Sequence, residues 1–345
     1  MRLNLGLVAA LLTYVSAVNA DQPSLIGSPV VFGGGTYPRA IKLFDGSLLG
    51  VYTAFSDGSN IITTTHSTDQ GSTWTNLGTV TSGVGDIDNP FLLQLPTGRV
   101  ICAFRNHSKT GNTYTFFRIT ICYSDDNGIT WKFLSEPATG STNGIWEPFL
   151  RLSATNNIQL YYSYENASND QDSLLRTSTD GGVTWTSPIT ISGAGIQARD
   201  GMLGVTTAPG GSSSDLIAIF ESLDTVNTHV FTVITVSSSD DGASWGNRRT
   251  VYTATGSQNN AGAPQIINVG GTLVASFMTD EDTSLHSWVT GANAKVITST
   301  DGVNWGSKVT VFGVQTNWPG MLALDDTRFL VLGDNGGAKA QLMGF

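Results

Sequence analysis

The chain has 345 residues, a formal net charge of −10 and only 13% charged residues. This length can bury a large core, and the acidic balance argues against nucleic acid or an anionic membrane surface as a partner, because both need clustered cations. Forty glycines suit a fold with many tight turns.

The N-terminus has the pattern of a secretory signal. Arg2 gives a positive start, the run from Leu3 to Val18 is apolar, and Val18-Asn19-Ala20 is a small-residue cleavage pattern. The apolar run is short for a bilayer span. We therefore predict a signal peptide over residues 1–20, a secreted extracellular protein over residues 21–345, and no membrane association.

The next element is an isolated β-run from Ser24 to Phe32, and a repeating unit follows it. Each unit opens with a polar or aromatic cluster, usually with proline, and continues through strands separated by Gly, Asp and Asn turns. Short strands at even spacing indicate an all-β repeat fold. Six openings are found, at Tyr37-Pro38, Asn89-Pro90, Glu147-Pro148, Asp200-Gly201, Ala263-Pro264 and Trp318-Pro319.

Five units also contain the pattern Ser-x-Asp-x-Gly-x-x-Trp between two β-runs. We call these segments the repeat turns: Ser67 to Trp74, Ser124 to Trp131, Ser178 to Trp185, Ser238 to Trp245 and the shortened Ser299 to Trp305. Asp binds nearby backbone N–H groups, Gly accepts a positive φ, and Trp buries a large apolar surface. The pattern predicts hairpin turns rather than catalytic aspartates.

The sixth unit lacks a repeat turn because the chain ends at its third strand, Ala340 to Phe345. The spare run from Ser24 to Phe32 can supply the missing strand and cover the open edge. The sequence thus predicts an all-β fold in a single domain, a six-bladed β-propeller of four-stranded antiparallel blades. The N-terminal strand closes it by pairing in the last blade.

Two cysteines, Cys102 and Cys122, lie in consecutive β-runs and can face each other across a hairpin. In a secreted protein this favours a disulfide, with a buried thiol pair as the alternative. Asn106 and Asn166 begin glycosylation sequons. No Cys or His spacing indicates a metal site, and no cofactor is expected.

Antiparallel order brings the start of the first strand and the end of the second to one face of every blade. Carboxylates, arginines and aromatic residues collect there, a composition that suits carbohydrate. The predicted substrate-binding residues are Arg39, Asp88, Asn89, Arg105, Trp146, Tyr164, Glu165, Arg199, Asp200, Asn260 and Trp318.

Three glutamates on this face have apolar β-settings: Glu147 lies within Ile-Trp-Glu-Pro-Phe-Leu, and Glu165 and Glu221 end apolar β-runs. Cleavage of a glycoside needs one carboxylate and one carboxylic acid that stays protonated, and an apolar setting raises a carboxyl pKa. Glu147 and Glu221 belong to neighbouring units. The hypothesis is that they are nucleophile and acid/base of a retaining glycosidase, with carboxyls about 5–5.5 Å apart; structural carboxylates are the alternative.

The repeat turns look like the Asp-boxes of the sialidase-like β-propellers, which identify architecture better than activity. Sialidases need an arginine cluster, a nucleophilic Tyr with a Glu partner, and an acidic Asp. Arg39 falls in Tyr-Pro-Arg-Ala, and Arg105 and Arg199 can lie beside it on the same face to form an arginine cluster. No convincing nucleophilic Tyr is found in units five or six. The sequence departs from the sialidase pattern.

The chain more closely resembles glycoside hydrolase family 93, the secreted fungal exo-α-1,5-L-arabinanases. The segments that carry the resemblance are Trp146 to Leu150, Tyr161 to Asn166, Ala198 to Met202 and Phe220 to Ser222. It implies a retaining hydrolase that releases arabinobiose from linear arabinan, with plant cell-wall arabinan or pectin side chains as partner, no metal, and a monomer. The family's nucleophile falls on Glu147 and its acid/base on Glu221. Glu165, in the same unit as Glu147, remains an alternative nucleophile.

Other functions stay open from sequence. An exo-α-sialidase would cleave sialosides instead of arabinan, and a propeller lectin would bind arabino-oligosaccharide without forming product. A five-bladed, calcium-supported arabinanase fits less well with six units and repeat turns.

Overall fold

The structure is a computed structural model that describes residues 22–345, and this part of the chain forms strands joined by turns and loops. The predicted signal peptide over residues 1–20 lies outside the described residues. Within residues 22–345, no helix is long and apolar enough to cross a membrane.

Four sheets contain four strands each. The first has β2 (Thr36–Lys42), β3 (Leu48–Ser56), β4 (Ser59–Ser67) and β5 (Thr75–Gly83). The second has β6 (Asp86–Gln94), β7 (Val100–Thr110), β8 (Thr113–Ser124) and β9 (Lys132–Gly140). Another has β18 (Ala261–Val269), β19 (Thr272–Thr279), β20 (Asn293–Ser299) and β21 (Gly306–Phe312). The last has β22 (Asn317–Ala323), β23 (Arg328–Asp334), β24 (Ala338–Gly344) and β1 (Ser24–Gly33).

An eight-stranded sheet lies between the second and third of these in chain order. It has two halves. The first contains β10 (Ile145–Leu152), β11 (Ile158–Ala167), β12 (Asp170–Ser178) and β13 (Ile189–Ser192), and the second contains β14 (Ala198–Thr207), β15 (Leu216–Asp224), β16 (Phe231–Ser238) and β17 (Gly246–Tyr252). Within each half the strands are antiparallel neighbours. A single parallel residue pair, Gln171 with Arg199, joins the halves.

The N-terminal strand pairs with the C-terminal strand, as the sequence predicts. β1 runs antiparallel to β24, with Ser24 opposite Gly344 and Val30 opposite Ala340. Strands from the two ends of the described chain therefore complete one sheet.

The strands β2, β6, β10, β14, β18 and β22, which we call the first strands, contact one another in this order, and β22 contacts β2. The apolar core lies between neighbouring sheets. One cluster, for example, joins Ile101 and Ile119 of the second sheet to Leu150 and Leu160 of β10 and β11. The described chain is an all-β propeller built from four-stranded antiparallel sheets.

The repeat turns fold as local hydrogen-bonded loops between the third and fourth strands of a unit. In the second copy, Ser124 Oγ donates to Asp126 Oδ1 over 2.7 Å and accepts the Gly128 N–H over 2.8 Å. Asp126 also accepts the N–H and hydroxyl of Thr130, and the Trp131 indole donates to the Gly128 carbonyl over 3.0 Å. The aspartate is thus occupied by its own turn, as predicted.

The predicted disulfide is wrong. Cys102 and Cys122 lie directly opposite each other on β7 and β8, but both are free thiols buried in an apolar cluster. Directly opposite residues in antiparallel strands have Cβ atoms about 4.5–5.5 Å apart, whereas a disulfide needs about 3.8 Å. The alternative, a buried thiol pair, is what the structure contains.

Candidate active site

Each of the six first strands is distorted near its start. The pairing with the second strand shifts register there, so one strand bulges. At each bulge one residue other than glycine has a φ between 41° and 54°: Tyr37, Asn89, Glu147, Met202, Ala263 and Trp318. Bulges redirect side chains, and such backbone conformations cost about 1–3 kcal/mol each and concentrate at functional sites.

The bulges converge on one centre. Tyr37, Met202 and Ala263, from three different strands, share one buried apolar cluster, and Trp288 and Trp318 pack against it. Glu147 lies near enough to raise the pKa of the Tyr37 hydroxyl, which burial chiefly raises to about 12. The redirected side chains therefore form the middle of a single face, where the start of every first strand meets.

Glu147 is a half-buried carboxyl at the bulge of β10. Burial raises its pKa to about 7, although Arg105, a hydrogen bond with Ser163, and Arg199 act in the opposite direction. Its Oε2 atom is buried and has no hydrogen-bond partner among the described residues. A free oxygen on a carboxyl that ionises near neutral pH is suited to act as a nucleophile or a base.

Glu221 lies at the end of the apolar run of β15 and is 9% exposed. Its Oε2 accepts the Ala263 N–H over 2.6 Å. Burial raises its pKa to about 8, the Ala263 N–H lowers it, and Glu147 raises it further. Glu147 therefore lies close enough to Glu221 to act on it within the same face. Their separation of about 5–5.5 Å stays a prediction.

Two predicted arginines lie beside Glu147, each held by carboxylates. Arg105 pairs with Asp86 over 3.0 Å and with Asp88 over 3.2 Å, and its guanidinium lies 5.4 Å from the ring centre of Trp146. Arg199 pairs with Glu165 over 2.6 Å and donates to the side chain of Gln171 over 2.8 Å. Both arginines lower the pKa of Glu147, so the positive charge favours its ionised form.

Arg39 differs from the other predicted binding residues because it is only 3% exposed. Its Nη1 donates to the carbonyls of Pro38 over 2.8 Å and Trp318 over 3.0 Å, and its guanidinium covers the Tyr37 ring at 3.9 Å. Arg39 thus connects β2 to β22 beneath the surface of the face.

Asp200 and Asn260 are also bound to the protein itself. Asp200 has no exposed surface, accepts the Ser192 hydroxyl over 2.6 Å and pairs with Arg248, whose Nη2 lies 2.9 Å from Oδ1. This position is that of a structural ion pair, not of a free substrate ligand. The Asn260 side chain accepts the Phe231 N–H, and the backbone N–H of Asn260 donates to Asp280 Oδ1 over 2.6 Å.

The remaining predicted residues lie around the pair. Asp88 accepts the Thr53 hydroxyl over 2.6 Å, and Asn89 is buried with a free Oδ1. Trp146 and Trp318 are half-buried, and so is Tyr164, which packs against the cluster between the second sheet and β10. The Trp146 ring lies edge-on to His107 at 4.8 Å. These three aromatic side chains are available to stack on a sugar.

Several residues of the face were not predicted. Tyr37 and Ala263 precede proline at the same repeat position as Glu147, so the pattern contained the signal. Met202 takes that position in the fourth unit, one residue after the predicted Asp200-Gly201 opening. Trp288 lies in a loop without any counterpart in the other units, and no repeat pattern marks it.

Within residues 22–345, no group of three or more His, Cys, Asp and Glu side chains is arranged to hold a metal ion. The face instead offers two carboxyls whose pKa values are raised to different extents. One can be ionised while the other is protonated, which is the arrangement for paired acid and nucleophilic chemistry.

No protein-family model matches the sequence, and comparison with curated proteins gives no match. Solved structures are similar over nearly the whole chain. A Fusarium graminearum GH93 α-L-arabinofuranosidase in complex with arabinobiose has a TM-score of 0.74 and 22% identity, covering 92% of this chain and 97% of its own.

Two further structures extend this comparison. A Penicillium chrysogenum α-L-arabinanase complexed with arabinobiose has a TM-score of 0.74 and 19% identity, covering 94% of this chain and 99% of its own. The NanB sialidase from Streptococcus pneumoniae is less similar, with a TM-score of 0.58 and 12% identity over 91% of this chain and 70% of its own. The predicted resemblance to glycoside hydrolase family 93 is confirmed, and these likenesses show a shared propeller fold.

Proposed function

We propose that this protein is a secreted retaining glycoside hydrolase that acts on α-1,5-L-arabinan from the chain end and releases arabinobiose. The observation that carries the proposal is the pair Glu147 and Glu221 on one face. Glu147 is half-buried with a free Oε2, and Glu221 is buried. Burial raises their pKa values to about 7 and about 8, and Glu147 raises the pKa of Glu221 further. The structural neighbours with arabinobiose bound support arabinan as the substrate.

The contacts of the two carboxyls assign the roles. Glu147 has a free Oε2 and lies beside Arg105 and Arg199, which favour its ionised form, so its carboxylate attacks the anomeric carbon and forms a covalent glycosyl ester. Burial favours the protonated form of Glu221, which gives its proton to the leaving oxygen as the glycosidic bond breaks. Because Oε2 of Glu221 accepts the Ala263 N–H, the proton is held on Oε1. Glu221 then takes a proton from water, which attacks the ester and releases Glu147.

The same geometry argues against Glu165 as the nucleophile. Its Oε1 is paired with Arg199 over 2.6 Å, and its Oε2 accepts the Gly144 N–H over 3.1 Å. Both oxygens are therefore occupied, whereas Glu147 has a free one. Glu165 is better placed to hold Arg199 beside the reacting pair.

The arginines also weigh against a sialidase. Recognition of a substrate carboxylate needs guanidinium groups that are open to the ligand. Arg39 is only 3% exposed, with its Nη1 on backbone carbonyls, and Arg105 and Arg199 are already paired with protein carboxylates. A neutral sugar needs no such open cation.

We further propose that the two halves of the eight-stranded sheet are separate blades. Only one residue pair is paired as neighbouring strands between them, and their first strands continue the series of contacts from β2 to β22. The chain is then a six-bladed propeller in a single domain, closed by β1, and works as a monomer.

Of the two sequons, Asn166 is exposed and Asn106 is half-buried with its amide donated to Thr120, so we expect a glycan at Asn166.

Product analysis tests the function. The protein is incubated with linear arabinan and, separately, with a panel of sialosides. We expect arabinobiose to accumulate from arabinan from the earliest time points, with no release of sialic acid. Cleavage of a sialoside but not of arabinan overturns the proposal, and so does binding of arabino-oligosaccharide without any product.

Chemical rescue tests the assignment of the nucleophile. Glu147→Ala removes the attacking carboxylate, and azide is small enough to replace it. We expect azide to restore turnover of an activated arabinoside by Glu147→Ala with formation of a glycosyl azide, while Glu165→Ala gives no azide adduct. The reverse pattern would move the nucleophile to Glu165.

A further inference from the structure

Residues 280–292 connect β19 to β20 and carry Trp288, and we call this segment the Trp288 loop. One side of it is anchored by charge. Glu281 accepts the Tyr252 hydroxyl over 2.7 Å and pairs with Lys295 over 3.1 Å, and Asp282 pairs with Lys295 over 2.7 Å. Burial alone would raise the pKa of Glu281, but these hydrogen bonds lower it to about 2, so the anchor stays charged.

The rest of the Trp288 loop is fixed by hydrogen bonds. His286 Nδ1 lies 2.6 Å from Asn259 Oδ1, and Asp280 accepts the Asn260 N–H over 2.6 Å. A backbone bond of 2.9 Å from Gly291 to Ser287 closes the turn that contains Trp288. The loop is therefore held on both sides, and the position of its indole ring is defined.

That indole lies near the candidate acid, on the other side of the space above Gly262. A Cβ atom added to Gly262 would be 2.6 Å from Glu221 Oε2 and also 2.6 Å from Trp288 Cη2. The carboxyl oxygen and the ring atom are thus separated by no more than about twice that distance. The indole also stacks on Phe231, with ring centres 5.1 Å apart. Any side chain at position 262 would displace one of the two groups.

We propose that Trp288 is a positioning residue for the glycosidase: its indole keeps water from Glu221 and thereby holds this carboxyl in the protonated form that donates to the leaving oxygen. The inference rests on the proposed function. An apolar ring against a carboxyl disfavours the charged form because it removes the water that would solvate the charge.

The charged groups that act on Glu221 are few. Glu147 on β10 raises its pKa, and Arg199 on β14 lowers it. β16 and β18 contain no ionisable side chain, and β18 presents only the Ala263 N–H. In the Trp288 loop, Asp280 and His286 are bonded to Asn260 and Asn259. Solvent exclusion by the indole is the contribution that a mutation can remove without changing a charge.

The test measures kcat/KM against pH for the wild type, Trp288→Phe and Trp288→Ala. Trp131→Phe is the matched control, because Trp131 is a half-buried indole in a repeat turn. Removing the indole should lower the pKa of Glu221, so the alkaline limb of the Trp288→Ala profile should move to lower pH by about one unit. Trp288→Phe should move less, and Trp131→Phe should not move. An alkaline limb that stays in place in Trp288→Ala overturns the inference.

A second readout does not depend on turnover. Because the pKa of Glu221 is raised in the folded protein, its contribution to stability falls as pH rises from about 4.5 to about 8. We expect the drop in melting temperature between pH 5 and pH 8 to be smaller in Trp288→Ala than in the wild type. If the wild type cleaves no arabinan, the proposed function fails, but the difference between the two drops in melting temperature still tests the role of Trp288. An equal drop in Trp288→Ala and the wild type contradicts that role.

Discussion

The carboxyls at the two ends of the sheets are in opposite electrostatic states. In the repeat turns, hydrogen bonds from Thr73 and Thr130 lower the pKa values of Asp69 and Asp126 to about 2. On the opposite face, burial raises the pKa values of Glu147 and Glu221 to about 7 and about 8. The turn aspartates have every acceptor occupied close to solvent, whereas the glutamates are desolvated and incompletely bonded. The comparison separates carboxyls that maintain the fold from carboxyls kept ready for chemistry.

The largest expected effect comes from the glutamates. Glu147→Gln and Glu221→Gln keep the size of each side chain but remove the nucleophile or the proton donor. We expect kcat/KM on linear arabinan to fall by at least about 10²–10⁴-fold, with the melting temperature at pH 7 unchanged or higher. Steady-state kinetics and thermal melts measure both. A variant that keeps wild-type turnover would contradict the assigned roles.

A second effect is the pH dependence of stability. Glutamates with raised pKa values bind protons more tightly when folded, so the free energy of unfolding should fall as pH rises from about 4.5 to about 8. The slope reaches up to about 1.4 kcal/mol per pH unit for each group. Aspartates with lowered pKa values act in another window, because their contribution is lost as pH falls from about 4 to about 2.

Denaturant melts at several pH values measure these slopes. Glu221→Gln should reduce the slope between pH 5 and pH 8 and leave the loss of stability below pH 4 as it is in the wild type. If the slope between pH 5 and pH 8 is the same in both proteins, Glu221 is not held protonated by the fold.

The smallest expected effect comes from a repeat turn. Ser124→Ala removes the acceptor of the buried Gly128 N–H and a donor to Asp126. An unsatisfied buried N–H costs about 1–3 kcal/mol, so the free energy of unfolding should fall by that amount. The kcat/KM on arabinan should stay at the wild-type value. Ser72→Ala, at an exposed position of the first repeat turn, is the control and should change neither quantity appreciably.

The sequence predicts most of the fold because the signals are local and repeated. The repeat turns and the X-Pro openings fix where strands begin and end. The isolated run from Ser24 would have no pairing partner unless it completed the last sheet. The conformation of the openings is not predictable in this way. A residue before proline favours extended backbone, yet Tyr37, Glu147 and Trp318 have φ values of 53°, 41° and 53°. The reason is visible only in the structure, where the pairing with the second strand shifts register at these residues.

The candidate site also contains some residues that local sequence patterns predict and others that they do not. Glu147 and Glu221 stand out because Glu147 lies among apolar residues at the start of β10 and Glu221 ends the apolar run of β15, and the structure brings them to one face. Asp200 was expected at the site because it opens the fourth unit. Its partner Arg248 comes 48 residues later on the outer strand β17, which no local pattern shows. Trp288 was missed because its position depends on ion pairs with Lys295 around a loop that does not repeat.

The pairing of β1 with β24 has a consequence for how the molecule is made. Ser24 and Gly344 are 320 positions apart and hydrogen-bond in the same sheet. During synthesis β1 must stay unpaired until β24 has been made, so the sheets encoded between them can fold first. Pairing β1 with β24 then places the entropic cost of closing this long loop at a late step. Deleting β1 should therefore leave β24 as an open sheet edge.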